Sequence, residues 1–237
     1  MRTTAGALRV GLTLVLILCL VAYFAHALAS LATDGRRMAD KMTAHADTTL
    51  SGVDAAEYPA LAAALTGYLR GNLPTPQVVV SRAGIQSPAY AEQEMQHLED
   101  IRGLVHLAGI IRYAALGAVA VSLVIFLLLR SRQPALLAQI RPQWALMAAS
   151  LIFFGLIVAV LLWGVINFEG MFHAFHRVLF RNDLWLLDPQ KDLLLQLMPL
   201  PFFVSYGWDL LKQMAPVLLI LPLAAFGLRG AGKEQQA

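Results

Sequence analysis

Six histidines lie along the chain, and two of them, His97 and His176, stand in surroundings that suit proton transfer. An imidazole titrating near pH 6.5 can take up or release a proton close to neutrality. Tyr90, Glu94, His97 and Asp100 follow one another at spacings of four, three and three, which stacks them on one face of a helix. Glu94 or Asp100, one turn from His97, is placed to fix its tautomer and raise its basicity. His176 belongs to the stretch Met171–Phe203, MFHAFHRVLFRNDLWLLDPQKDLLLQLMPLPFF, in which Asp183 is placed to do the same. Asn182, Trp185, Asp188 and Asp192 stand there among large apolar residues. Asp188-Pro189 reads as a turn whose Asp bonds its own backbone. Asn182 and Asp183 read as groups that orient a reactive side chain. The alternative for the histidine pair is structural: interfacial imidazoles that hold loops by hydrogen bonds.

Other chemistries have weaker signals. His173 and His176 form HxxH, and with His97 they could make a three-histidine zinc or iron site. HxxH lacking a flanking Glu is a weak metal signal, so no metal is expected. The single Cys19 sits inside the first apolar run, which excludes a disulfide framework and a Cys metal site. Leu18 before it is too large for a lipobox. Arg112 lies inside an apolar run, where a charge is costly and often functional. It could meet a lipid head group, pair with Asp209, or snorkel outward. A haem-carrying bundle would need histidines facing one another across its spans, whereas most of these lie at or beyond span ends.

The elements that must position the histidines are membrane helices. The chain is 58% hydrophobic and 14% charged, well short of the roughly one-quarter charged residues of a soluble domain. Four runs lack Asp, Glu, Lys and Arg: Val10–Thr33, Tyr113–Leu129, Pro142–Phe168 and Gln213–Leu228. A spanning helix needs ~20 mostly apolar residues. The first and third suffice alone; the second and fourth extend through Arg112 and Lys212, whose side chains can snorkel. The expected fold is an all-α membrane protein with four transmembrane helices, residues 8–33, 106–129, 143–168 and 207–228. With the N-terminus inside, the inner segments (130–142 and 229–237 with the N-terminal residues) hold seven basic residues against one acidic, and the outer ones nine against thirteen. That is the positive-inside pattern. Both termini are therefore expected in the cytoplasm, and the small domain 34–105 and the loop 169–206 outside. The first run is too long for a signal h-region of ~7–15 residues, so a retained anchor is favoured over the cleavable reading at Ala27-Leu28-Ala29.

Within the outer domain, Gly35–Asp47 is charged and reads as an outward continuation of the first helix. Asp54 reads as a cap for a helix that places Pro59 in its first turn and stops at Gly71. Gln77–Ser81 reads as a strand. Ser87-Pro88 reads as the start of an amphipathic helix that carries His97 and runs into the second span, bending near Gly103. Lys191–Met198 reads as a short helix ended by Pro199 and Pro201.

Two stretches together resemble a known family. EMQHLEDIRGL ahead of the second span, and FHRVLFRNDLWLLDPQKD followed by MPLPFF, are similar to the bacterial DUF1461 membrane proteins, which include the lipoprotein intramolecular transacylases. The loop Asp34–Ser87 carries no family motif. The resemblance implies an acyltransferase of the bacterial cytoplasmic membrane with its active face outside. Its substrate would be a diacylated lipoprotein bearing S-diacylglyceryl-cysteine; the sn-2 acyl chain would move to the α-amino group to give the lyso-form. His97 and His176 fall on the two histidines on which that family relies, and His173 is an extra one. Membrane lipid is the other implied partner; neither nucleic acid nor any cofactor is implied. Phe172, Phe175, Phe180, Trp185, Phe202 and Phe203 are available to line an acyl groove. The runner-up reading is a non-catalytic membrane protein that binds lipid or lipoprotein.

Overall fold

The computed structural model describes residues 2–137 and 142–234, with side chains over 4–136 and 143–223. In chain order the helices are α1 (Arg2–Ala32), α2 (Gly35–His45), α3 (Thr48–Ser51) and, after a 3-10 turn, α4 (Tyr58–Leu69). A hairpin of β1 (Val79–Arg82) and β2 (Ile85–Pro88) follows. Then come α5 (Glu92–Arg132), α6 (Pro134–Leu137), α7 (Pro142–Ile166), α8 (Phe168–Leu179), α9 (Leu193–Leu197) and α10 (Leu200–Glu234). Two compact units result. One takes Met1–His26, Ile110–Met171 and Gln213–Ala237; the other takes Ala27–Gly109 and Phe172–Lys212.

The first unit is apolar on its outside. Among the described residues, the helices Thr4–Ala32, Glu92–Arg132 and Gln143–Ile166 are long and apolar enough to cross a membrane. Leu116, Val121, Leu123, Val124, Leu151 and Leu162 are all more than half exposed, a surface suited to lipid and not to water. Its interior is built from small residues, Ala5, Ala22, Ala145, Ala149 and Ser150, with Leu20, Phe153 and Met214. Small residues let helices approach closely where no hydrophobic effect drives them together. The expected fourth span lies on α10, which holds Pro216 and Pro222. One turn before Pro216, the Gln213 carbonyl accepts the Tyr23 hydroxyl at 3.0 Å, a side-chain hydrogen bond from α1 to α10. The expected inner hairpin and tail fall partly outside the described residues: 138–141 and 235–237 are not described.

The second unit has a conventional core. Met38 and Met42 of α2, Tyr58, Leu61 and Leu65 of α4, Val80 of β1, Leu98 of α5, and Leu193 and Leu197 of α9 bury one another. Asp209 ties α10 to α2: its carboxylate takes Arg37 Nη1 at 3.0 Å and Lys41 Nζ at 2.8 Å, with Lys212 Nζ at 3.6 Å.

Several local expectations are corrected. Gly35–Asp47 does not continue α1. Asp34 has extended backbone and accepts the Arg37 amide at 3.1 Å, so it caps a separate helix. Ser87-Pro88 does not start a helix but ends β2, in register Val79↔Pro88 and Arg82↔Ile85. The turn Ala83-Gly84 has φ of 50° and 83°, the positive pair that a two-residue hairpin with the right twist requires. Pro201 does not end α9; it lies in the first turn of α10, where its missing N–H costs nothing. Gly170 makes room for a helix cap. It is inside α8, where an added Cβ would meet the Asn167 side chain at 2.6 Å. That side chain caps α8 by accepting the Gly170 amide at 2.8 Å. Pro59 falls in the first turn of α4 and Gly71 (φ 81°) follows its end, as expected, but Asp54 caps the 3-10 turn ahead of α4 and not α4 itself, whose N-cap Glu57 makes no side-chain capping hydrogen bond.

Candidate active site

His97 enters the site from α5. That helix has 41 residues, roughly 60 Å at 1.5 Å each, about twice a hydrocarbon core. Its charge-free part begins at Tyr113, so Glu94, His97 and Asp100 stand on a polar extension ahead of the span. Ala91, just before α5, has no capping side chain. Glu94 substitutes for it: one carboxylate oxygen accepts the Ala91 amide at 2.7 Å, the reciprocal half of a capping box. The other accepts the Leu194 amide of α9 at 2.7 Å. Glu94 is 2% exposed, and burial pushes its carboxyl above the usual range against those two amides. It joins two helix starts and is not hydrogen-bonded to His97.

His176 comes from α8, a helix where a loop was expected. Its face spacing turns Phe172 and His176 the same way, and His176 Nδ1 lies 2.8 Å from the Phe172 carbonyl. As donor to that carbonyl, Nδ1 leaves the lone pair on Nε2. This backbone oxygen takes the part expected of Asp183.

The two imidazoles meet. Their centroids are 6.1 Å apart at 37°, and the residues are 5% and 8% exposed. Aromatic rings enclose them. Phe172 lies 4.0 Å and Phe175 5.5 Å from His176. Phe180 lies 5.1 Å from His97 and 5.6 Å from His176. The Trp185 indole lies 5.0 Å from His176 and 5.2 Å from His173. Burial, together with the neighbouring His176, pushes His97 down to about 4, against the pull of Asp100. Burial and His173 lower His176 too, opposed by the Phe172 carbonyl. Both rings are neutral at pH 7, which is the form a general base needs. His97 Nδ1 is buried with no hydrogen-bond partner among the described residues.

The remaining expected residues divide. Asp100 accepts Asn182 Nδ2 at 2.9 Å, so it bonds Asn182 in place of His97. The Asn182 carbonyl in turn accepts Trp185 Nε1 at 2.9 Å. Asp183 contributes its carbonyl to the Leu186 amide. Asp188 accepts Gln190 N and pairs with Lys191, the turn role expected of it. Asp192 accepts the Asp188 amide. Tyr90 is buried just ahead of α5, its backbone held on both sides by Gln77, and its hydroxyl has no hydrogen-bond partner among the described residues. Arg112 belongs to the other unit and stacks on Tyr113; within the second unit, Asp209 takes Arg37, Lys41 and Lys212 as its partners. Among the described residues no three metal-ligating side chains converge, so the three-histidine alternative finds no geometric support. Gln93 was missed. It holds the Leu184 and Leu186 carbonyls at 3.3 and 3.1 Å, and its place four residues before His97 on the same stripe was the available signal.

Fold and site together define a multi-pass helical membrane protein with a buried, neutral histidine pair. The model of the lipoprotein intramolecular transacylase Lit matches residues 10–203, and the chain belongs to that family. Three solved structures share the fold. One is the membrane integral lipoprotein intramolecular transacylase Lit from Bacillus cereus, with TM-score 0.65 and 18% identity over 100% of both chains. The others are variants of that protein with one histidine replaced. The arginine variant has TM-score 0.66 and 19% identity over 99% of this chain and 97% of the other. The alanine variant has TM-score 0.67 and 17% identity over 100% and 97%. Among curated protein sequences nothing matches.

Proposed function

We propose that this chain is a membrane acyltransferase that moves the sn-2 acyl chain of a lipoprotein's S-diacylglyceryl-cysteine to the α-amino nitrogen of the same cysteine. Family membership supports the reaction class. The observation that carries the residue assignment is the pair of buried imidazoles 6.1 Å apart inside an aromatic shell.

The chemistry suits two neutral imidazoles. The α-ammonium gives up one proton to a base before it attacks the ester carbonyl. The nitrogen–carbon bond forms, the carbon–oxygen ester bond breaks, and the nitrogen's second proton ends on the glyceryl oxygen. We assign the base to His176, whose Nδ1–H is engaged by the Phe172 carbonyl so that Nε2 is free to accept. We assign to His97 the return of a proton to the departing alkoxide. Nucleophile and ester belong to one molecule, so positioning supplies much of the rate and no cofactor is required. Phe172, Phe175, Phe180 and Trp185 supply apolar surface for acyl chains. The site works at the outer face of the bacterial cytoplasmic membrane, in a four-span chain with both termini inside.

The test is mass spectrometry of lipoprotein N-terminal peptides from a host that lacks its own enzyme. Expression of the chain converts S-diacylglyceryl peptides into N-acyl-S-monoacylglyceryl peptides. Diacylglyceryl peptides left unchanged by a well-inserted protein would overturn the reading in favour of a lipid- or lipoprotein-binding factor.

A further inference from the structure

Gln93, His97 and Asp100 lie at i, i+4 and i+7 of α5, one stripe of a helix with the histidine in the middle. Both flanking residues reach the same turn of the signature stretch. Gln93 Nε2 donates to the Leu184 and Leu186 carbonyls, and Asp100 accepts Asn182 Nδ2 at 2.9 Å. The turn is braced internally: Asn182 Oδ1 accepts the Leu184 amide at 3.2 Å, and the Asn182 carbonyl fixes the indole N–H of Trp185. The fixed indole then lies 5.0 Å from His176 at 33°. A continuous chain of contacts therefore runs from either side of His97, through the turn and the indole, to His176.

We infer that Gln93 and Asp100 are positioning residues. They form a two-point clamp on the Asn182–Leu186 turn that presses Trp185 on His176 and so sets the separation of the two histidines. None of Gln93, Asp100 and Asn182 touches a reacting atom in this scheme. Glu94, between the two anchors, points elsewhere to the two helix starts, which leaves the clamp an independent device. The inference rests on the proposed acyl transfer for its consequence in rate, but its geometry is testable without it.

The test exchanges donor and acceptor. Asn182→Asp sets two carboxylates against each other and opens the clamp. Adding Asp100→Asn restores one amide–carboxylate hydrogen bond with the partners reversed. Two readouts are taken on the full chain in nanodiscs. One is the rate of lyso-form production from a synthetic diacylated lipopeptide. The other is acrylamide quenching of Trp185 in a background with Trp144, Trp163 and Trp208 replaced by Phe. The expected result for Asn182→Asp is a kcat lower by about tenfold or more, since a displacement of about 1 Å can cost that much. KM should rise by less than kcat falls, because Trp185 is one of four aromatic side chains offered to the acyl chains and the other three stay in place. Trp185 becomes more accessible, and the double exchange restores both readouts. If Asn182→Asp fails to insert, Gln93→Ala, which removes one exposed anchor, replaces it and should move both readouts in the same direction. The clamp is overturned if the opened variant leaves kcat and Trp185 accessibility unchanged, or if the exchange restores neither. If the parent chain makes no lyso-form while Trp185 accessibility follows the expected pattern, the clamp stands and the acyl-transfer reading falls.

Discussion

A buried imidazole serves as a base only while it stays neutral, and burial beside a second histidine favours this at both positions, His176 acting on His97 and His173 on His176. At His97 the burial and the facing His176 act in the same direction, down to about 4. The sign of the linkage follows. Below pH 6.5 the unfolded chain binds a proton at each histidine, while the folded chain binds none at His97 until about pH 4. Stability is therefore full above pH 6.5 and declines as pH falls towards 4, at up to ~1.4 kcal/mol per pH unit for each such group. Thermal unfolding of the detergent-solubilised protein at pH 7, 6 and 5 should show this decline, and His97→Gln should flatten it. An unchanged slope in that variant would mean that His97 is exposed to protons in the folded state. Replacing either His97 or His176 by Ala should cost on the order of a hundredfold in lyso-form production. His173→Ala should be much milder, because His173 packs on Trp185 and stands outside the ring pair. Equal damage from all three variants would place His173 in the reacting set beside the pair, or point to a three-histidine metal centre that metal analysis of the purified protein would reveal. The pair itself was legible in the sequence, because histidines flanked by carboxylates and aromatics outside apolar runs are few. Their partners were not. A backbone carbonyl one turn away, such as that of Phe172, leaves no mark on composition, and the three-residue spacing of Glu94 and His97 fits tautomer control and helix capping equally well.

At the scale of elements, Glu94 is the joint between α5 and α9. Each N-terminus presents amides without intrahelical partners, and one carboxylate serves both. Glu94→Ala leaves the Ala91 and Leu194 amides unpaired and should cost about 2–4 kcal/mol of stability, counting one to two for each unsatisfied donor. Glu94→Gln keeps one acceptor oxygen and should cost about half of that. Chemical or thermal unfolding of the two variants checks it, and an Ala variant as stable as the parent would show that water replaces the joint. Sequence periodicity found the long helices because their apolar runs are uninterrupted. It missed the breaks because each depends on an atom-level contact. Asp34 could as well have continued a helix as capped one. Ala83-Gly84 is not the Asn-Gly or Asp-Gly pair that marks a hairpin, so β2 went unseen and its last two residues read as a helix start. Asn167 and Gly170 are three residues apart, a cap and the small residue that makes room for it, and only the close approach reveals that the glycine serves α8.

For the whole molecule, the question is which way the chain is threaded. Three helices among the described residues are long and apolar enough to cross a membrane, and α10 is proposed as the fourth span. The distribution of basic residues supports the proposed orientation. Seven basic residues and one acidic fall in the segments assigned inside, and short positively charged loops are retained in the cytoplasm. With four spans, as proposed, the C-terminus would return to the side on which the N-terminus began, and both histidine-bearing segments would lie on the other. A three-span chain would separate the termini across the membrane; one threaded in the opposite sense would put the histidines in the cytoplasm, away from outer-leaflet lipoproteins. Cysteine scanning distinguishes these cases. In a Cys19→Ala background, Ser87→Cys and Gln190→Cys should react with an impermeant thiol reagent added to intact spheroplasts, and Ser131→Cys should react only after lysis. Labelling of Ser131→Cys in intact cells with protection of the other two would reverse the threading and with it the assignment of an outer-face reaction. Labelling of a cysteine appended to the C-terminus, alongside the first two, would reduce the spans to three while leaving the site outside.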